Sequence, residues 1–356
     1  MDTAPVNTRA VVTSLAFDPA AQGQIRVTAT VTTPDALRSL AGSIGGGGGG
    51  GSSGPQQSVV TAVARTVPAA VYGLSAQLER IPYFGQVTLV VVGHLGHAQL
   101  RDIIDSLVRF TALNRTAWIA YAGTCSAADI LRVSTTQELT PARYLDEFFT
   151  RTAPLQLNLS QPSWLLWVGD RIPGYTSYMP VVERTPTGFH LDRIALVEDG
   201  RMLGELNRDE TLGWATLRSR MKGYAVTSRL PGATVGVMAI WAHTRLSARW
   251  VDGRPVLSAR TSLRGILGET ADPSLARSQA GLSMMDAHVA SLVLDLEERA
   301  MARCKALGAD PFGFGARLAV ADPPRFADLG DWHAAFARLP VHLEVHADIR
   351  SQGEVT

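Results

Sequence analysis

The stretch from Leu275 to Gly315 limits the possible folds more than any other part of this chain. Its apolar residues Leu282, Met285, Val289, Leu292 and Leu296 fall in alternating steps of three and four, which puts them on one side of an α-helix. Asp286, Asp295, Glu298, Arg299 and Lys305 occupy the opposite side, so the spacing predicts a long helix with one face on an apolar surface and the other in water. Asp272-Pro273-Ser274 offers start signals, and Gly308 stands where a C-cap glycine belongs. The segment Asp310-Pro311-Phe312-Gly313-Phe314-Gly315 cannot stay helical for long: its glycines permit positive φ, and its phenylalanines can plug the end of a core. On periodicity alone, this helix covers a sheet, with Leu292 and Phe314 expected in one C-terminal core.

The N-terminal part reads as alternating strands and helices. Strands are expected at Arg9 to Phe17 and Gln24 to Val31, then a helix at Thr66 to Leu78. Gln86 to Gly93 is nearly all apolar and reads as a strand buried on both faces. A helix from Ala98 to Phe110, a strand from Ala117 to Ala122 and a helix from Ser126 through Leu131 continue the alternation, which implies an α/β sheet with a right-handed crossover. From Thr150 to His190 five prolines interrupt the pattern, so little regular structure is expected there. A hairpin follows over Phe189 to Leu206, turning at Asp199-Gly200, and Asn207 is placed to cap a helix running to about Arg220. Beyond Gly223 short turns at Pro231-Gly232 and Asp252-Gly253 join strand-like runs, which makes neighbouring antiparallel strands. Val341 to Ile349 closes the chain as a strand with Val341, Leu343, Val345, Ala347 and Ile349 on one face and His342 and His346 on the other. The expected architecture is α+β with three domains: a mixed α/β domain over 1–136, a small middle domain or connection over 137–221, and an antiparallel sheet under the long helix over 222–356.

Chemistry-bearing motifs are sparse. The chain has 356 residues and a formal net charge of +1 with no basic block, so electrostatics gives no reason to expect nucleic acid. No apolar run reaches the ~18 residues of a membrane span; the longest, Val87 to Gly93, has the length of a strand. Neither a signal peptide nor a basic n-region opens the sequence, and a soluble chain is expected. Gly45 to Gly51 lacks the Lys-Ser/Thr pair of a phosphate loop and reads as a flexible linker that tolerates shortening. Cys125 and Cys304 stand in apolar surroundings and are expected as buried free thiols rather than a disulfide. His94 and His97 are spaced like a metal pair but have no acidic or thiol partner at ligand spacing, and His342 with His346 is a partial pair on a strand face that reads as solvated, so no metal is assigned. No HExxH, G-x-S-x-G or CxxC motif is present, and no catalytic, cofactor-binding or metal-binding residue is assigned. The aromatic residues Trp164, Trp167, Tyr175 and Tyr178 are either a platform for a small molecule or hydrophobic fill between domains.

Several segments, in order, resemble the Ger(x)C family, the C subunits of spore germinant receptors. They are Leu15-Ala16-Phe17-Asp18 with Ile25 to Val31 and the glycine-rich loop, then Tyr83-Phe84-Gly85 with Val90-Val91-Val92-Gly93. Asp102 to Arg109, Ala195 to Glu210, Phe312-Gly313-Phe314-Gly315, Asp331-Trp332 and the closing Ile349-Arg350-x-x-Gly353 complete the series. Gln86 stands where histidine is usual in the family. The resemblance implies a non-enzymatic lipoprotein without cofactor on the outer face of the spore inner membrane, acting with A- and B-type integral-membrane subunits in nutrient-triggered germination. The family's signal peptide and lipid-modified cysteine do not occur in this sequence, and the expectation is a chain cut after that cysteine. A small-molecule-binding lipoprotein module is the alternative, with a hydrolase lacking a recognisable motif behind it.

Overall fold

The computed structural model describes residues 8–32, 57–110, 112–133, 140–151, 157–230, 233–270 and 278–351. The run Gly45 to Gly54, the start signals Asp272 to Ser274 and the expected boundary at Thr136 lie outside the described residues.

The first sheet is built from β1 (Arg9–Pro19), β2 (Ile25–Thr32), β3 (Gln57–Ala64), β4 (Ile81–Tyr83), β5 (Leu89–Val92), β6 (Trp118–Ala122), β7 (Ser177–Thr185), β8 (Gly188–Glu198) and β9 (Arg201–Leu206). Its order is β3-β2-β1-β5-β6-β7-β8-β9, with β4 also on β1. The centre, β1-β5-β6-β7, is parallel, and antiparallel hairpins extend both edges. Parallel strands need covered crossovers. They are supplied by α1 (Val67–Gly73), α2 (His97–Arg109), α3 (Ala127–Leu131), α4 (Pro141–Arg151) and α5 (Ser163–Gly169). Burial on both faces explains the unbroken apolar run of β5: Val90 and Val92 face α1 and α2, whereas Leu89 and Val91 face α3 and α4.

The stretch from Thr150 to His190 corrects the expectation of scarce regular structure, because it contains α5 and the nine-residue β7. Pro180 is tolerated there since the pairing of β7 with β6 begins only at Val181, leaving a ladder on one side. Accordingly the first sheet does not end near Thr136; its strands continue to Leu206, and Lys222 opens the second sheet.

That second sheet has the order β10-β11-β12-β13, from β10 (Lys222–Leu230), β11 (Ala233–Val251), β12 (Arg254–Thr270) and β13 (Val341–Ser351). β11 runs unbroken between the expected turns. The first three strands are antiparallel, and β13 joins parallel to β12 because a long crossover separates them. One face is covered by α6 (Arg208–Leu217) and α7 (Gln279–Ala306); beyond α7 come α8 (Phe314–Ala321), α9 (Pro323–Asp328) and α10 (Trp332–Arg338).

The long helix is capped by Ser278, whose hydroxyl accepts from the Gly281 N–H, and ends before Gly308 at φ +63°. Its buried row is Met285, Val289, Val293, Glu297, Ala300, Met301 and Cys304. Leu292 is half-buried and lies outside the core clusters, so its expected central place belongs to Val293. Phe314 is fully buried, as expected, beside Phe312 and Phe336. α6 crosses α7 so closely that a Cβ on Gly213 would run into the carbonyl of Leu296.

One core cluster joins the two sheets. Tyr178, Ile194, Leu196 and Leu206 of the first meet Trp214 of α6, Leu257 and Ala259 of the second sheet, and Phe312, Phe314 and Trp332.

Candidate functional site

The sequence-quoted motifs meet at this seam. Asp310 is fully buried, and its carboxylate accepts from the backbone N–H groups of Phe312, Gly313 and Gly315 at 3.2, 2.9 and 2.8 Å. The indole N–H of Trp332 donates to the same carboxylate at 3.1 Å, so the Asp-Pro-Phe-Gly-Phe-Gly and Asp-Trp motifs form one hydrogen-bonded unit. Thr176 ties that unit to the approach to β7 by donating N–H to the Asp310 carbonyl and accepting from the Asp310 N–H, both at 3.0 Å. Gly313 adopts φ +78°, and a Cβ on Gly315 would stand 2.5 Å from the Trp332 indole nitrogen. Those constraints, not flexibility, explain both glycines. Burial pushes the Asp310 carboxyl up to about 6, against the pull of its four donors.

Beside this unit a cleft of about 310 Å³ opens between α5, β7, the end of α6 and the start of α8. Its polar lining is Gln161, Tyr175, Tyr178, Arg218, Arg220 and Arg317. Arg218 and Arg317 both donate through Nη1 to the carbonyl oxygen of Phe312, at 3.0 and 3.1 Å, so two guanidinium groups abut at one acceptor. Arg317 also donates to the Gly313 carbonyl at 2.7 Å, and Arg220 to those of Asn158 and Ser160 at 3.3 and 3.1 Å. Arg218 lies 6.0 Å from the centre of the Tyr175 ring and Arg220 5.4 Å from that of Tyr178. Burial and the neighbouring Arg218 charge lower the Arg317 pKa, and Asp310 opposes them.

The aromatic quartet singled out in the sequence divides here. Tyr175 and Tyr178 line the cleft, and Tyr178 packs its ring 4.5 Å from that of Trp214 while donating its hydroxyl to the Ser160 carbonyl. Trp167 packs on the other core under the Arg171 guanidinium, 3.4 Å from its ring centre, and Trp164 is exposed on α5. The four do not form one platform.

The histidine pairs go separate ways. His94 sits edge-on to Tyr121 at 5.4 Å, while His97 Nε2 lies 2.8 Å from the Asp199 carbonyl oxygen. His346 Nε2 pairs with Glu344 at 2.7 Å on the open face of the second sheet, where His342 is also exposed. Among the described residues no group of three or more metal-ligating side chains converges. Cys125 is half-buried and Cys304 buried, both as free thiols.

A second buried acid escaped the sequence reading. Glu297 of α7 has no exposed surface, faces the second sheet, and is pushed up to about 8 by burial. Its Oε1 lies 2.7 Å from the Thr261 hydroxyl, which lies 2.8 Å from the Thr244 hydroxyl, which donates to the Thr216 carbonyl at 2.7 Å. Three hydrogen bonds in series need three hydrogens, and the two hydroxyls supply two. Burial favours the protonated carboxyl of Glu297, which can supply the third; among the described residues Oε2 has no partner.

Two family models match the sequence. One, described as the spore germination protein N-terminal domain, covers residues 2–183. The other, described as spore germination B3/GerAC like, C-terminal, covers residues 192–353. Among solved structures, the crystal structure of the GerBC protein shares the fold with a TM-score of 0.59 at 14% identity, over 94% of this chain and 96% of that one. No curated protein matches the sequence.

Proposed function

Because the chain belongs to the GerAC-like family of spore germination proteins, we propose that it serves as the C subunit of a spore germinant receptor and performs no catalysis of its own. The carrying observation is that the two family matches follow one another along nearly the whole chain, over residues 2–183 and 192–353. In this reading a lipid on an upstream cysteine holds the protein on the outer face of the spore inner membrane. There it assembles with the A- and B-type membrane subunits and takes part in the response to nutrients. Among the described residues no helix is long and apolar enough to cross a membrane, and the proposed attachment does not need one.

The chemistry of the seam supports a structural and assembling role. Of the acids with raised pKa, Asp310 and Glu297 are fully buried and committed to backbone N–H groups or to a threonine chain, while Asp170 accepts from the Asp199 N–H and Asp286 from the Ile349 N–H. The hydroxyl against Glu297, that of Thr261, is itself fully buried and gives a substrate no access, which a hydrolase would need.

The test is complementation. A strain lacking this chain should lose germination through its receptor, and variants carrying alanine at His94, His97, His342 or His346 should restore it. A null phenotype from one such substitution in a fully folded protein would overturn the non-catalytic reading.

A further inference from the structure

We propose that the cleft between the two sheets binds a small organic anion, with its oxyanion head among Arg218, Arg220 and Arg317 and its apolar body against Leu165, Val168 and Ile172. The inference is independent of the receptor reading, since it rests on the charge and shape of the cleft. Three guanidinium groups line it and no carboxylate does. Two of them share the Phe312 carbonyl oxygen, an arrangement that sets like charges against each other in a partly desolvated place. The nearest acid, Asp310, cannot relieve this by pairing, because its oxygens are taken by three backbone N–H groups and the Trp332 indole.

Each guanidinium carries five N–H donors in a flat fork, and the carbonyl bonds described above use only the Nη1 group of each. Among the described residues the Nε of Arg218 has no hydrogen-bond partner and is shut off from solvent. An incoming oxyanion can accept charge-assisted hydrogen bonds from the guanidinium N–H groups that these carbonyls leave over. The tyrosines hold the forks in place: Arg218 lies over Tyr175 and Arg220 over Tyr178. The volume, about 310 Å³, is at the small end of the range for small-molecule sites. The apolar wall from α5 excludes a bare inorganic ion as the best fit and favours an acid with a compact hydrophobic part. Carboxylates and phosphate monoesters share the required head, and the experiment separates them.

Benzoate and phenyl phosphate serve as probes, with benzylamine as the cationic control, in calorimetric titrations of the full chain at low ionic strength. At least one anion should bind, weaken with added salt, and raise the melting temperature in a concentration-dependent way. Arg317→Gln, at an exposed position on α8, should weaken binding by about tenfold or more, and Arg317→Lys should recover part of it. Ala316→Phe, which keeps all three guanidinium groups and fills the cleft, should abolish binding while circular dichroism reports a folded protein. Preference for one probe identifies the head group. Failure of both anions to bind at millimolar concentration, or unchanged affinity in both Arg317→Gln and Ala316→Phe, overturns the proposal. Either failure would leave the family membership and the complementation test untouched.

Discussion

Replacing Glu297 by glutamine should stabilise this protein, and the gain should appear only as the pH rises. The unfolded carboxyl titrates near 4.5 and the folded one near 8, because burial disfavours the charged form. Between those values the folded state binds more protons than the unfolded state, so stability is full below about 4.5 and is lost progressively as pH climbs through 8. Each pKa unit corresponds to ~1.4 kcal/mol, so the loss between 4.5 and about 8 is on the order of 5 kcal/mol. Glutamine mimics the protonated acid: it is neutral, nearly the same size, and its amide can donate the third hydrogen to the Thr261 hydroxyl. Urea unfolding at pH 5, 7 and 9 should therefore find Glu297→Gln close to the parent at pH 5 and more stable by a few kcal/mol at pH 9. Parallel pH curves for the two proteins would show that Glu297 does not change protonation on folding, and the proton count along the threonine chain would be wrong.

The remaining expectations concern the same core. Val293→Ala should cost about 1–3 kcal/mol and Leu292→Ala less, although leucine is the larger side chain, because only Val293 is fully buried; thermal unfolding of the pair measures the order. Phe314→Ala should cost ~3–5 kcal/mol, read in the same way, since its ring is enclosed by Phe312 and Phe336. Asp310→Asn should cost about 3 kcal/mol or more, because an amide nitrogen cannot accept from Gly315 N–H and the Trp332 indole; loss of the Trp332 fluorescence signature at low denaturant would report it. His333 is raised by its 2.6 Å hydrogen bond to Glu198, so the stability it contributes is present below the ordinary histidine pKa and lost as pH rises through the folded value. His333→Gln should remove that part of the pH dependence.

Much of the architecture was legible because periodicity reports burial directly. The apolar run of β5, the stripe of α2 and the Asn207 cap with its Glu210 partner all follow from local pattern. The middle stretch was not, since prolines mark breaks without showing that a strand can carry one where pairing is one-sided. On the long helix, steps of three and four fit either Leu292 with Leu296 or Val293 with Met301, and the second row is the buried one. Choosing the first row hid Glu297, although an acid four residues from Val293 and four from Met301 was a readable sign of a buried polar group. The cleft was beyond local reading. Its arginines come from segments nearly a hundred residues apart and are brought together by one carbonyl oxygen, that of Phe312. The Asp-Pro-Phe-Gly-Phe-Gly motif was visible, but the role of its aspartate as the acceptor for four donors depends on Trp332, which only the fold delivers.

Isolating the full-length lipoprotein from spore membranes and mapping its crosslinks tests the proposed assembly into a germinant receptor. The A- and B-type membrane subunits should co-purify with it, and crosslinks should fall on a defined surface of the folded chain. Recovery of the folded, membrane-bound protein free of both subunits, with no crosslinks to either, would contradict that assembly.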